Sequence, residues 1–184
     1  MSLEKYLIEH CAPTLASLKT ASMFCVPVTD HQELETQIQI WNKYFHKKGL
    51  FMQVLRRRKT NALIYVCRSS HLQSDLQRPG VAEFLTEFGY SGLDAKDSLS
   101  RLKSRLEQSD SFPHEIGVFL GYPLDDVIGF IQHGGKNCAC TGCWKVYCNP
   151  CEAVKTFERY RKCRRIYTRL WNQGRSVLQL TVAA

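Results

Sequence analysis

The apolar positions of the chain change their spacing several times, and each change marks an element. Residues 3–18 (LEKYLIEHCAPTLASL) carry helical spacing, with Pro13 as a break or a second helix start. Ala21–Val28 reads as a short strand, and Pro27 places it near an edge or at its own end. Asp30 is a good N-cap with Glu33 three residues on, as in a capping box. Leu34, Ile38, Trp41 and Phe45 then recur every three or four residues. They form one face of a helix that runs to about Lys47 and stops before Gly49. Leu50–Leu55 and Ala62–Cys67 are strand-like runs around RRRKTN, a hairpin with a basic turn.

Arg78-Pro79-Gly80 breaks the chain. Val81–Phe88 predicts a short helix and Asp94–Gln108 a longer, polar one. Pro113 opens a helix that Gly121 ends. Pro123 starts the next, with Asp125 and Asp126 in its first turn, where carboxylates suit the helix dipole. Gly134-Gly135 closes it. A cysteine-rich segment, 138–151, holds a strand-like Trp144–Tyr147. A long helix covers about Glu152–Gln173. Its apolar stripe is Phe157, Tyr160, Cys163, Tyr167 and Leu170, and Arg161, Arg165 and Arg169 lie on another face. Ser176–Val182 reads as a closing strand. There is no internal repeat, no linker and no regular βα alternation. The expected architecture is one α+β domain over residues 1–184, several helices packed on a small mixed or antiparallel sheet.

Composition narrows the class. Of 184 residues 44% are hydrophobic and 23% charged, enough apolar surface for a real core. No apolar run reaches the roughly 18 residues that span a bilayer, so no membrane partner is expected. MSLEKYLIEH lacks the basic, apolar and small-residue layout of a signal peptide, and the reading is a cytoplasmic protein.

The net charge of +8 is concentrated. Between Glu152 and Arg175 stand Lys155, Arg159, Arg161, Lys162, Arg164, Arg165, Arg169 and Arg175, against Glu152 and Glu158. A second knot is Arg56-Arg57-Arg58-Lys59. Such clusters are either solvated faces or sites for an anionic partner: a nucleic acid, a nucleotide or phosphate cofactor, or an acidic protein.

The strongest chemical signal is Cys138-x-Cys140-x2-Cys143-x4-Cys148-x2-Cys151, five of the nine cysteines. Two CxxC pairs within twelve residues are compatible with a thiolate site for zinc or an iron–sulfur cluster, with Cys138 as a spare ligand. Free thiols in a reducing compartment, or a redox-active pair, are the alternatives.

Other motifs carry less. Residues 115–131 match a helix-turn-helix layout, but Asp125 and Asp126 at the start of the second helix would repel DNA phosphates, which favours a plain helical hairpin. His114-Glu115 is not HExxH, because position 118 is Val118. His10-Cys11 are adjacent on a helix and do not face each other. His133-Gly134-Gly135-Lys136 reads as a helix C-cap with a solvated lysine.

The words HCAPTLASLKTASMF (10–24), HEIGVFLGYPLDDVIGFI (114–131), GKNC (135–138), WKVY (144–147) and KCRRIYTRLWNQGRSVLQLTV (162–182) run through nearly the whole chain. On them the chain resembles an uncharacterised family of small proteins, a domain of unknown function found mainly in anaerobic Gram-positive bacteria. The resemblance brings no established activity and no catalytic residue. It implies an iron- or redox-related role beside flavodoxin-like and ferrous-iron-uptake proteins.

Together these readings give one leading expectation: a metal site at Cys140, Cys143, Cys148 and Cys151, with the basic helix docking an acidic redox protein. A nucleic-acid-binding protein using RRRK and the basic helix is the alternative. A thiol enzyme using Cys11 or one CxxC pair is the third.

Overall fold

The computed structural model describes residues 2–108 and 112–183. Helix α1 (Leu3–Leu15) is capped by Ser2 and runs through Pro13 without a break. The proline stands in the last turn, where its missing N–H costs only one intrahelical bond. Ser17, at φ 60°, ends the helix in a left-handed turn. The Pro13 carbonyl then accepts from the backbone N–H of Leu18 at 2.9 Å and of Lys19 at 3.2 Å.

Strand β1 (Ala21–Pro27) leads to α2 (His31–Phe45). Asp30 caps α2 by accepting from the N–H of Gln32 and Glu33. The reciprocal half of the capping box is not made, since the Glu33 carboxylate accepts from Gln37 instead. Strands β2 (Leu50–Arg57) and β3 (Asn61–Arg68) form the expected hairpin. Helix α3 (Ser69–Leu76) follows at once, in a segment whose polar composition gives no helical stripe. Next come α4 (Val81–Thr86), α5 (Ala95–Gln108), α6 (Ile116–Phe119) and α7 (Leu124–Gln132). The helix expected from Pro113 shrinks to the four residues of α6. A two-stranded hairpin, β4 (Cys140–Thr141) and β5 (Lys145–Val146), precedes α8 (Pro150–Asn172).

The closing strand expected over Ser176–Val182 is instead a helical turn, α9 (Val177–Leu180). Ser176 and Gln179 form a full capping box there, and local hydrogen bonds outweigh the alternating apolar pattern.

Both pairings of the main sheet are antiparallel, in the order β1-β3-β2. This bears out the α+β class. Strand β3 is central, so its run Ala62–Cys67 is apolar throughout and buried on both faces. Ala62, Ile64 and Val66 join Leu7, Ile8, Leu15, Ile38 and Phe45 of the first two helices on one face. Leu63, Tyr65 and Cys67 join the core under α3 to α7 on the other. Pro27 ends β1, an edge strand, where no ladder donor is lost. Among the described residues, no helix is long and apolar enough to cross a membrane.

A third, smaller cluster of Val146, Ala153 and Phe157 with Cys140, Cys143 and Trp144 joins the cysteine hairpin to the start of α8. Farther along, Tyr167, Leu170 and Trp171 of α8 pack on the core beside α1. One helix thus links the cysteine segment to the main body.

Candidate functional site

The cysteine hairpin is held by Asp126, in the first turn of α7. This carboxylate is 2% exposed. It accepts from the Trp144 indole Nε1 at 2.7 Å, and from the backbone N–H of Tyr147 at 2.7 Å and Cys148 at 2.8 Å. Three donors converge on one buried carboxylate, which offsets its desolvation. Two glycines let the hairpin seat. A Cβ at Gly129 would meet Tyr147 at 2.5 Å, and one at Gly142 would meet the Phe157 ring at 2.2 Å. Asp126 therefore has a structural task within the protein, and the helix-turn-helix segment is the plain helical hairpin expected.

This arrangement carries Cys143 to the hairpin tip. Its carbonyl accepts from the Tyr122 hydroxyl at 3.1 Å. Tyr122 stacks on Trp144 with centroids 5.0 Å apart. Beside the tip lies a cavity of about 210 Å3, lined by His10, Lys19, Ser22, Tyr122, Cys143, Tyr160 and Arg164 among others. The left-handed turn at Ser17 delivers Lys19 into it, and the Lys19 ammonium lies 5.4 Å from the Tyr122 ring centroid.

The charge in this cavity is unbalanced. Among the described residues no carboxylate lies within ion-pair distance of Lys19 or Arg164. Asp75, whose charge is felt at Tyr160, is engaged by Arg78 and by the Thr20 hydroxyl. Burial lowers the Lys19 ammonium below its ordinary range, and the Arg164 guanidinium adds to this. The thiols of Cys143 and Cys11 pull the other way. Burial pushes Tyr122 and Tyr160 up to about 12 each, with the Cys143 thiol adding to both. Both phenols are therefore neutral donors at physiological pH. Cations and neutral donors face one small cavity, which is the chemistry of an oxyanion site.

A second cavity, of about 330 Å3, adjoins the first along Met23, Leu120 and Tyr122. Its walls are Phe112, His114, Ile116, Val127, Phe130 and Trp144, with a few polar groups. The charged ones among them are already engaged: Asp126 by its three donors, and Lys145 by the Gly135 carbonyl at 2.5 Å and the Phe130 ring.

The residues singled out from sequence differ in burial and in surroundings. Cys138 is partly buried, with Sγ 3.4 Å from Thr141 Oγ1. Cys140 packs in the hairpin cluster, Cys143 lines the cavity, and Cys148 and Cys151 are exposed. Among the described residues no three His, Cys, Asp or Glu side chains converge to hold a metal ion. The basic knot is divided as well. Arg56 lies over the Phe112 ring and Arg57 pairs with Glu35, while the exposed side chains of Arg58 and Lys59 stand at the turn, where the Arg58 carbonyl meets His31. Arg161, Arg165 and Arg169 are exposed on α8, as their spacing predicts, and have no acidic partner among the described residues. Burial pushes the Cys11 thiol up to about 12, the opposite of what thiol catalysis needs.

Lys19, Tyr122 and Arg164 are joined by no spacing motif in the sequence. Their cavity is assembled from residues 10–23, 120–122, 143 and 160–164, and only the fold brings these together.

Comparison with curated proteins and with solved structures finds no match. A family model described as a protein of unknown function (DUF3793) matches residues 7–181, nearly the whole chain, and the protein belongs to that family.

Proposed function

We propose that the protein binds a small-molecule ligand through an oxyanion, a carboxylate, phosphate or sulfate held between Lys19 and Arg164. The observation that carries this reading is the pair of cations facing a small cavity with no carboxylate against them. A desolvated ammonium without a counter-charge destabilises the folded protein. A bound anion relieves that cost, and the relief contributes to affinity. Tyr160 supplies a neutral donor to orient the anion.

Sulfate is a suitable probe because its charge is constant over the working pH range. At fixed ionic strength it should raise the unfolding midpoint of the wild-type protein. The gain should be lost in Lys19→Met and Arg164→Met and kept in Lys162→Met on the outer face of α8. The pH dependence has a definite sign. The Lys19 ammonium is lowered from 10.5, so its charge is lost earlier than that of a free lysine. Sulfate affinity should therefore begin to fall on the acid side of 10.5. Equal sulfate stabilisation in wild type and in both cavity variants would reject the assignment.

A second reading concerns partners. Arg161, Lys162, Arg165 and Arg169 form an exposed basic stripe, and it supports docking of an acidic protein. The stripe is separate from the Lys19 cavity except at Arg164, which borders both.

A further inference from the structure

The oxyanion cavity does not stand alone, and its neighbour identifies what the anion is attached to. We infer that the ligand is an aromatic oxyanion, a planar ring system bearing a carboxylate, sulfonate or phosphate. Its ring lies in the cavity between α7 and the cysteine hairpin, and its charged group reaches Lys19 and Arg164. This inference rests on the oxyanion reading above and adds the body of the ligand.

Three observations carry it. First, the two cavities adjoin, with Met23, Leu120 and Tyr122 as their common wall, and one molecule spans both once Met23 swings aside. Met23 is the flexible part of that wall, since an unbranched thioether side chain shifts more easily than a branched one. Volumes of about 330 and 210 Å3 together fall in the range of small-molecule sites. Second, the larger cavity is lined by five rings: Phe112, His114, Tyr122, Phe130 and Trp144. Several are already set at stacking distances. Tyr122 and Trp144 stack 5.0 Å apart at 28°, and His114 and Phe130 meet at 4.9 Å with their planes tilted by 58°. Such a lining favours a flat apolar body. Third, Asp126 and Lys145, the charged groups of the larger cavity, are engaged within the protein, while among the described residues the cations of the smaller one have no acidic partner. The charge complement of the ligand is therefore at one end only.

The experiment uses 2-naphthoate as the aromatic oxyanion, acetate as the anion without a body, and 2-naphthalenemethanol as the body without the charge. Binding to the full-length protein is followed by calorimetry and by methyl NMR. Ile116 and Val127 report on the apolar half, and Met23 on the shared wall. Naphthoate should bind at least about tenfold tighter than either comparator, because burying an aromatic body and pairing an anion each contribute on that scale. It should shift the Ile116 and Val127 methyls, which acetate should leave in place. Lys19→Met should bring naphthoate down to the affinity of the neutral alcohol. Thr141→Trp, at the exposed rim of the apolar cavity, should weaken naphthoate and leave sulfate and acetate unchanged.

The outcomes separate the two readings. If naphthoate and acetate bind equally and only acetate-like shifts are seen, the oxyanion site stands and the aromatic body is wrong. If naphthoate binds no better than the alcohol and Lys19→Met changes nothing, the oxyanion reading falls, and this inference with it. If Thr141→Trp does not fold, the methyl shifts in the wild-type protein decide the matter.

Discussion

Two buried charges show how single residues hold this protein together. Arg68, at the end of β3, is 1% exposed and has no ion-pair partner among the described residues. Its guanidinium donates to the Thr14 and Leu15 carbonyls at 2.7 Å each and to the Val182 carbonyl at 2.8 Å. The first two belong to the last carbonyls of α1, which also accept from the N–H of Ser17 and Val182, and the negative end of the helix dipole serves as the counter-charge. One residue thus joins the sheet, the first helix and the C-terminal segment. Asp126 does the same for the cysteine hairpin. Removing it takes the acceptor from three part-buried donors, the Trp144 indole and the Tyr147 and Cys148 N–H groups, at about 1 kcal/mol for each. Asp126→Ala should therefore cost roughly 3 kcal/mol, read as a lower urea midpoint, and should move the Trp144 indole proton out of its hydrogen-bonded position. An unchanged midpoint with an unchanged indole signal would mean that the hairpin is held by other contacts. The thiols sort by burial in the same way. Burial pushes Cys11 and Cys67 up to about 12 and Cys163 up to about 11, whereas Cys25, Cys148 and Cys151 are exposed. Alkylation at neutral pH, mapped by mass spectrometry, should modify the exposed three first and those buried three last. Early modification of Cys11 would contradict the packing of α1 on the sheet.

At the scale of elements, the sequence shows local order more readily than convergence. The stripe Phe157, Tyr160, Cys163, Tyr167 and Leu170 predicts α8 correctly, because a helix face is written at fixed spacing. The β2–β3 hairpin is equally clear, since a central strand buried on both faces must be apolar throughout. Helix α3 escapes notice because only Leu72, Asp75 and Leu76 of its eight residues are buried. For α9, alternation in SVLQLTV points to a strand, while Ser176 and Gln179 supply a capping box three residues apart. That second signal is as local as the first and was the one to weigh more heavily in a segment this short. The cysteines illustrate the harder limit. Spacing puts Cys140 near Cys143 in the chain and Cys148 near Cys151, but where each pair lies depends on residues elsewhere. Gly142 admits the Phe157 ring, Asp126 pins the backbone at Cys148, and Pro150 starts a helix that carries Cys151 outward. The cavity at Lys19 is the extreme case, since its cations stand 145 positions apart in the chain, at residues 19 and 164.

At the scale of the whole molecule, the basic charge lies on the outer side of the helix that also borders the cavity. From Arg161 to Arg169 the exposed ladder extends about 12 Å along the axis at 1.5 Å per residue. Two uses follow from its position, steering small anions toward Arg164 and docking an acidic surface. A third use, binding a nucleic-acid strand, needs exposed rings on which bases can stack. The aromatics of α8 are on the wrong side for that. Phe157 and Tyr160 are buried, and Tyr167 and Trp171 pack on the core. Charge alone then sets the affinity, so a carboxylate polymer and a strand of equal charge should bind alike. Poly-L-glutamate and polythymidylate matched for charge provide the test. Both should bind the wild-type protein with affinities that fall steeply with salt, and both should weaken together when Arg161, Arg165 and Arg169 are changed to Gln. For the strand, losing three contacts should reduce the slope of log affinity against log salt by about 2, from roughly 0.7 for each phosphate contact. Sulfate binding at Lys19 should keep its equilibrium affinity at high salt in this variant, since none of the three substitutions removes a group from the smaller cavity. A marked preference for polythymidylate over poly-L-glutamate at the same salt would show that bases are being recognised and would move the partner from an acidic protein to a nucleic acid.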